Sequence, residues 1–297
     1  MRALNRHKYI LSMVIPAIVV LFIFVYMPMG GNIIAFKEYS IKNGIWGSEW
    51  AGMKYFQRLW NLPAFWNVLG NQFTISLSML VIGFPAPIIL ALLLNEVRHT
   101  KLKRIYQTTF TFPYFISWIV LSGVIIGFLV DMGIVNQVLL KLGYEKNTIL
   151  RDGDQFRMLL YATDVWKLAG WNSILYLATL SSINPELYEA AQIDGASRWQ
   201  QARYITWPCL IPIASVLLIL ATGNIMTKGF DQILNLYNVM VQSKVDIIDT
   251  YIFREFISKG TNFSFAAAVG LFKAVINITL LLIANAAIKK MGQEGII

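Results

Sequence analysis

The long stretches without a charged residue are the feature that most restricts how this chain can fold. Only 14% of its 297 residues are charged and 57% are hydrophobic, whereas about a quarter of the residues in soluble domains are charged. A helix that crosses a bilayer needs about 20 mostly apolar residues. The uncharged runs are residues 9–36, 59–95, 105–130, 168–185 and 204–227. They predict an all-α, polytopic integral membrane protein embedded in a lipid bilayer.

About six transmembrane helices are expected, and the whole chain, residues 1–297, is taken as a single membrane domain. The second predicted span contains Pro85 and Pro87, each of which lacks a backbone donor, so we expect a kink there. The predicted spans are residues 9–27, 66–94, 106–130, 156–180, 209–227 and 263–288.

Basic residues cluster beside the predicted spans, which is the pattern expected of cytosolic loops. The net charge of +9 is therefore attributed to membrane topology and not to nucleic-acid binding. Both termini are predicted to be cytosolic. The basic residues concerned are Arg2, Arg6, Lys8, Arg98, Lys101, Lys103, Arg104, Lys289 and Lys290.

The sequence offers little for redox, metal or catalytic chemistry. Its single cysteine, Cys209, excludes an intrachain disulfide, and the two histidines, His7 and His99, form no zinc-type motif. The phosphate-binding pattern G-x-x-x-x-G-K-[ST] does not occur. We predict no catalytic residue and no metal site.

Three segments between spans, residues 30–65, 131–155 and 229–262, are longer than simple turns. They contain aromatic residues such as Trp46, Trp50 and Trp60. They are interpreted either as a surface for an external partner or as connectors anchored at the membrane interface by Trp.

Residues 181–208, here called the coupling loop, have the pattern helix, break, helix. Asn184 is a good N-cap, and Pro185 suits the first helical position. A turn is expected at Asp194 and Gly195, because glycine accepts backbone angles that other residues avoid. A second helix over residues 196–206 is predicted to end before Pro208.

One face of the first helix in the coupling loop combines small and apolar residues. Leu187, Ala190 and Ala191 share this face by helical spacing, while Glu189 and Gln192 remain available for polar contacts. The face suits docking into a groove of another protein. The alternative is an amphipathic helix on the membrane surface, but such helices favour Lys and Arg, which are absent here before Arg198.

These residues resemble the EAA loop of ABC importer permeases: Glu189, Ala190 and Ala191, then Asp194, Gly195 and Ala196, then Ile205, Pro208 and Pro212. The resemblance implies the type I importer fold and a coupling helix that docks on an ATPase. It extends to residues 83–96, 112–117 and 270–277, and the chain looks like a carbohydrate-importer permease. Residues 289–295 and the N-terminal layout resemble the permeases that are paired with binding lipoproteins for complex oligosaccharides, including pectin- or alginate-type glycans. The residues expected to mediate coupling are Leu187, Glu189, Ala190, Ala191, Asp194, Gly195 and Ala196.

The resemblance also implies the partners. A second, homologous permease would complete a heterodimer, two ATPase subunits would bind ATP and Mg²⁺, and an external binding lipoprotein would deliver an oligosaccharide. This chain would bind no cofactor itself and would lie in the bacterial cytoplasmic membrane. Transport would proceed by alternating access.

Polar and aromatic residues inside the predicted spans are the candidates for a sugar pathway, although such residues also serve helix packing. Lys273 is either a counter-charge for an acidic sugar or a snorkelling lysine, and Trp118 either stacks on a sugar or packs. The candidates are Asn71, Trp118, Asn172, Tyr176, Asn224, Lys273 and Asn277.

Two rival functions are weighed: a membrane enzyme is discarded, and the absence of a mid-membrane acid together with the EAA loop favours the ABC permease over a secondary transporter. A membrane enzyme would need an embedded dyad or metal set, for which the sequence offers no residues. An ion-gradient-driven secondary transporter would use an embedded acid. Asp164, near the outer end of the fourth span, is the single acidic candidate.

Overall fold

The computed structural model describes residues 8–254, 262–293, 295 and 296, with side chains from residue 12 onward. Arg2, Arg6 and His7 lie outside the described residues. The chain splits into two compact units, residues 1–65 with 252–273 and residues 66–251 with 274–297. The elements, numbered in chain order, are α1 (Lys8–Leu21), α2 (Met27–Met29), β1 (Lys37–Glu38), α3 (Gly44–Gly47), β2 (Glu49–Trp50), α4 (Lys54–Trp60), α5 (Pro63–Gly83), α6 (Pro85–Asn95), α7 (Thr100–Thr111), α8 (Trp118–Leu129), α9 (Ile134–Lys141), α10 (Gly153–Ser181), α11 (Pro185–Ile193), α12 (Arg198–Gln201), α13 (Trp207–Thr222), α14 (Phe230–Leu236), α15 (Gln242–Val245), α16 (Ile248–Ile252) and α17 (Phe263–Lys290).

The described structure is 77% helical and confirms the all-α class. Five of its helical stretches are long and apolar enough to cross a membrane. The fourth predicted span, 156–180, lies within α10, which is long enough but is not among the five. Its charged residues lower its mean hydropathy. The five stretches are Ser12–Phe36, Pro63–Asn95, Trp118–Lys141, Arg198–Thr222 and Phe263–Lys290.

The smaller unit combines the first apolar helix with a short hairpin. The first span was predicted to end at residue 27, but helical turns continue through Phe22–Tyr26 and Gly30–Phe36 because the apolar run itself continues. The strands β1 and β2 pair antiparallel, with Lys37 opposite Trp50. The start of α17 is fixed in this unit by the Ser264 hydroxyl, which accepts a hydrogen bond of 3.0 Å from the Tyr39 N–H.

The larger unit is built around α10, which contacts α6, α7, α13 and α15. Two apolar clusters lie along this helix. Phe156 and Leu160, near its start, pack in one cluster, and Tyr176 and Leu180, near its end, pack in the other. The stretch of α10 between them contains buried Asp164 and Lys167. The polar centre of this helix therefore lies inside the protein.

In the second span, where a kink is expected, the helix assignment is interrupted at Phe84, whose backbone keeps right-handed helical angles, and Pro85 begins α6. The third span differs from its prediction. Residues 106–130 do not form one helix: α7 ends at Thr111, a 3₁₀ turn covers Phe112–Phe115, and α8 begins at Trp118. Pro113 lacks the N–H that would continue the helix, and Ile116 has an extended backbone.

The end predicted for the second helix of the coupling loop, before Pro208, is wrong. Helical turns run without a break from Arg198 to Thr222. A wider turn at Ala202–Thr206, in which the Trp207 N–H bonds to the Ala202 carbonyl, accommodates Pro208 inside this run. The fifth span also ends earlier than predicted, at Thr222 and not at residue 227, and turns follow over residues 223–229.

Candidate functional site: the coupling loop and a cavity between helices

The coupling helix α11 begins and ends where its sequence signals predict. The Asn184 side chain accepts a hydrogen bond of 3.1 Å from the Glu186 N–H, and Pro185 occupies the first turn. At the other end Gly195 has φ +77°, a conformation that favours glycine. The N–H of Ala196 bonds to the Ala191 carbonyl at 2.8 Å, and that of Gly195 bonds to Gln192 at 3.1 Å. This is the Schellman arrangement that terminates a helix.

A second cap starts the run that leads into the membrane. The Ser197 side chain accepts from the Gln200 N–H, while the Gln200 side chain accepts from the Ser197 N–H at 2.7 Å. This capping box was not predicted, although Ser197 and Gln200 have the spacing that signals it. The coupling loop thus consists of two well-terminated helices joined by a fixed bend.

One contact inside the coupling loop and one to the rest of the larger unit fix its position. Within the loop, the Tyr188 hydroxyl lies 2.9 Å from the Thr206 hydroxyl. Arg198 forms an ion pair with Glu96, just after the end of α6, and so attaches the loop to the larger unit. A groove of about 570 Å³ lies beside these contacts and includes Gln192 and Gln201 in its lining.

The other side of the coupling helix is open. Leu187 is 51% exposed and Ile193 is 87% exposed, and both are apolar side chains. Of the predicted coupling residues, Ala191 and Ala196 are half-buried. The remaining ones are exposed, namely Leu187, Glu189, Ala190, Asp194 and Gly195. The structure therefore gathers the predicted residues on one bend whose surface the described chain leaves largely uncovered.

The break between α7 and α8 is stabilised by Lys167 from α10. Its ammonium donates to the carbonyl oxygens of Tyr114 at 2.8 Å and Pro113 at 3.2 Å, and also to that of Ile116. Its Nζ lies 5.5 Å from the ring centroid of Trp118. Backbone groups freed in a membrane helix need such partners, because lipid offers none.

A second interruption, residues 223–229 after α13, is satisfied in the same way. The Gln72 side chain donates to the Ile225 carbonyl at 3.0 Å, and the Asn277 side chain accepts from the Met226 N–H at 3.0 Å. Gly229, with φ +92°, ends the interruption and precedes α14. Non-helical backbone at membrane depth is tolerated where it is buried in protein or lines a cavity.

A cavity of about 210 Å³ lies next to this second interruption. The side chains that line it include Asn172 and Tyr176 of α10, Pro87 of α6 and Lys228 of the interruption itself. The Lys228 ammonium lies 3.0 Å from the Asp164 carboxylate. The Asp164 side chain is 8% exposed and that of Lys228 is 30% exposed. The cavity is therefore mainly apolar with a few polar groups, as ligand sites usually are.

The structure separates the predicted pathway residues. Asn172 and Tyr176 line the cavity. Asn71 bonds to the Ser243 carbonyl at 3.0 Å and accepts from Arg157 at 2.8 Å.

Four further candidates lie elsewhere. Trp118 packs against the first apolar cluster. Asn224 bonds within its own chain segment to Leu220 at 2.9 Å, and Asn277 holds the interruption. Lys273 is buried in the smaller unit. Lys228 and Lys167 were not among the site residues predicted from the sequence. Each is a charged residue next to a long apolar run, and this pattern does not show which residue its side chain contacts.

Comparison with known proteins shows the family to which the chain belongs and proteins that are similar to it. Residues 83–293 match the family described as "Binding-protein-dependent transport system inner membrane component". The chain is 42% identical to Protein LplB of Bacillus subtilis (strain 168), across 100% of this chain and 93% of the relative. It is 40% identical to the polygalacturonan/rhamnogalacturonan transport system permease protein YteP of the same organism, across 99% of this chain and 91% of the relative.

Solved structures give the same result. A chain in the crystal structure of a bacterial ABC transporter involved in the import of the acidic polysaccharide alginate is 35% identical, with a TM-score of 0.88, and the match covers 98% of this chain and 99% of that one. A chain of a bacterial alginate ABC transporter in complex with an alginate pentasaccharide-bound periplasmic protein is also 35% identical, with a TM-score of 0.89 and 99% coverage of both chains.

Proposed function

Because this chain belongs to the family of binding-protein-dependent transport system inner membrane components and has the type I ABC importer permease fold, we propose that it is the membrane-spanning subunit of an ATP-driven oligosaccharide importer. The observation that carries this function is the exposed bend of the coupling loop. An external binding protein delivers the sugar, and the permease opens alternately to the two sides of the membrane. All 297 residues act as one permease domain.

Coupling to ATP follows from how the coupling loop is built. Two separate ATPase subunits bind ATP and Mg²⁺ and dock on the exposed side of α11, through Leu187, Glu189 and Ala190. Because α11 ends in a fixed bend at Gly195, its displacement moves the run that begins at Arg198. That run continues without interruption to Thr222. This chain thus transmits movement and contributes no catalytic residue.

A second surface supports the proposal that a partner protein binds on the outer side of the membrane. Asp131, Arg151 and Met240 help to line a surface cavity of about 570 Å³. Val239, which also lines this cavity, is 86% exposed, which suits contact with another protein. We assign this surface to the binding protein, a lipoprotein, and assign the apolar faces of the spans to a second, homologous permease. The coupling loop and both termini then lie in the cytosol of a bacterial cell, and the spans lie in its cytoplasmic membrane.

The relatives support a sugar as the transported molecule. The relative YteP is named for polygalacturonan and rhamnogalacturonan transport, and the solved relatives import alginate. In this chain Asn172 and Tyr176 line a cavity with the polar groups that a sugar needs. An ion-gradient-driven transporter is not favoured, because the embedded acid that it would use, Asp164, is neutralised by Lys228.

The test is uptake by proteoliposomes that contain this chain, its second permease, the ATPase subunits and the binding protein. A radiolabelled oligogalacturonate is the probe. Uptake should occur only when ATP is present on the side of the membrane to which the ATPase subunits are bound. Uptake of the same probe by this chain alone, driven by a proton gradient without ATP, would refute the proposal.

A further inference from the structure

We propose that Lys228, held by Asp164 at the membrane cavity, is a binding site for the carboxylate of a uronic acid residue, so that the importer prefers acidic oligosaccharides over neutral ones. This inference rests on the proposed function and names the chemistry of its substrate. Lys228, the residue that would recognise the carboxylate, is singled out by neither the sequence pattern nor the comparisons.

The first argument is the position of Lys228. It lies in the interruption of residues 223–229, whose backbone is fixed by Gln72 and Asn277, and its side chain lines the cavity. A lysine ammonium has three N–H donors. Within the described part of the chain, its ion pair joins it to Asp164 at 3.0 Å, and the side chain remains 30% exposed. Donors of a fixed cation are therefore left for a ligand in the cavity.

The second argument is electrostatic. A lone cation inside a membrane is costly, and Asp164 gives the empty site a net charge near zero. A neutral sugar would gain an ordinary hydrogen bond from Lys228, whereas a carboxylate would gain a charge-assisted one, which is about twice as strong. Because the Asp164 side chain is 8% exposed and that of Lys228 is 30% exposed, the pair is partly removed from water, and this difference between the two ligands is larger than at a fully exposed surface.

The third argument concerns release. A transport site has to bind strongly enough to admit its substrate and weakly enough to let it leave. The Asp164 carboxylate repels a second carboxylate at the same ammonium, so the substrate is held less tightly than by an unpaired lysine. The pair thus combines selectivity for acid groups with reversible binding.

The fourth argument is that no side chain at residue 83 covers the ion pair of Asp164 and Lys228. A Cβ atom built at Gly83 would lie 3.5 Å from an Asp164 carboxylate oxygen and 4.0 Å from the Lys228 ammonium. A glycine at this position leaves the ion pair uncovered toward the cavity that Gly83 also lines. A large side chain at residue 83 would cover the pair without changing any charge.

The experiment uses the complete transporter in proteoliposomes and two probes, trigalacturonate and its fully methyl-esterified form. These probes have the same sugar chain and differ in charge. The measured quantity is the ratio of ATP-dependent uptake of the acid to that of the ester. One binding protein is used throughout, so its own preference cancels when variants are compared with the unaltered complex.

We expect Lys228→Met to lower this ratio about tenfold, which corresponds to the loss of one hydrogen bond to a charged group. Since Lys228→Met leaves Asp164 buried without its partner, the double variant Asp164→Asn/Lys228→Met is measured alongside and should show the same fall. Gly83→Leu should also lower the ratio. Lys141→Met removes the same charge from an exposed site on α9 and should leave the ratio unchanged.

Two outcomes overturn the inference, and they are distinguishable. If both Lys228 variants transport the two probes with the ratio of the unaltered complex, Lys228 does not recognise the carboxylate, while the proposed function stands. If the unaltered complex shows no ATP-dependent uptake of either probe, the proposed function fails and the inference fails with it.

Discussion

The ammonium of Lys167 lies 2.8 Å from the carbonyl oxygen of Tyr114, in the middle of the break that divides the third span. Lys167 is 6% exposed and belongs to α10. The Tyr114 ring stacks on Trp171 of the same helix, with a centroid separation of 4.2 Å. One buried lysine thus attaches the end of α7 and the start of α8 to the central helix of the larger unit.

Lys167→Met should destabilise the protein by about 3 kcal/mol, because the carbonyls of the break lose a charged donor and remain buried. The measurement is the thermal unfolding temperature of the purified protein in detergent. Lys141→Met, at an exposed lysine, is the control and should leave this temperature nearly unchanged. Equal unfolding temperatures for the unaltered protein and Lys167→Met would show that the break is held by packing alone.

Gly170→Ala should be strongly destabilising, because α10 and the end of α7 approach too closely for a side chain. A Cβ atom at residue 170 would lie 2.0 Å from the Phe110 carbonyl oxygen, so the backbone has to move at a cost of about 3 kcal/mol. The matched control is Gly123→Ala in α8, where a Cβ would meet no atom within 4 Å. This control should gain up to about 1 kcal/mol from helix propensity. A similar effect of the two substitutions on thermal unfolding would contradict the close approach.

Gly195→Ala should weaken coupling, because an L side chain is strained at φ +77° by about 1–2 kcal/mol and the bend that orients α11 relaxes. The measurement is the number of sugar molecules imported per ATP hydrolysed by the reconstituted complex. Gly143→Ala introduces the same strain, at φ +82°, outside the coupling loop. An equal loss in both variants would mean that strain in general, and not the bend of the coupling loop, reduces transport.

Glu189→Lys should abolish most of the ATPase stimulation produced by the loaded binding protein, since it reverses a charge on the exposed face of α11. Charge reversal at a protein interface costs several kcal/mol, so we expect a fall of at least about tenfold. ATP hydrolysis by the complex is measured with and without the loaded binding protein. The exposed Lys101, in α7 and outside the coupling loop, provides the control charge reversal Lys101→Glu. Normal stimulation in Glu189→Lys would remove this residue from the docking surface.

The stability of the start of α10 should depend on pH through Asp152. The backbone N–H groups of Gln155 and Asp154 donate to its carboxylate and hold the pKa of Asp152 below its usual value of 3.8. Because this pKa is lowered in the folded protein, the stabilisation is present above pH 3.8 and is lost as the pH falls through the folded-state pKa.

Asp152→Asn retains a capping oxygen and cannot titrate. Its unfolding temperature should therefore change less than that of the unaltered protein as the pH is lowered below 3.8. Hydrogen exchange at the N–H groups of Asp154 and Gln155 gives the local measurement. Identical pH profiles for the two proteins would show that this cap contributes nothing to the acid response.

The parts of the fold that sequence reasoning predicted correctly are those with local causes. The bounds of α11 follow from Asn184, Pro185 and Gly195, which act on their own neighbours in the chain. The interruption at Phe84 follows in the same way from Pro85. The apolar runs similarly predicted most spans, because the length of an uncharged run is a property of one segment.

The parts that were missed depend on residues distant in the chain. The Lys167 contacts join residues more than 50 positions apart, and no periodicity in α7 or α8 shows them. Lys228 and Asp164 likewise meet through folding alone. The run through Pro208 was missed for another reason, since a proline signals an end to a helix and a wider turn can accommodate it.

The uninterrupted helical run from Arg198 to Thr222 also determines where this permease can be joined to a relative. Its 25 residues form a rod about 37 Å long. A chimaera whose junction falls at Pro208, the apparent boundary in the sequence, would divide this rod. One inserted residue there would rotate the coupling helix by about 100° relative to the membrane part. Junctions within residues 223–229 leave the rod intact.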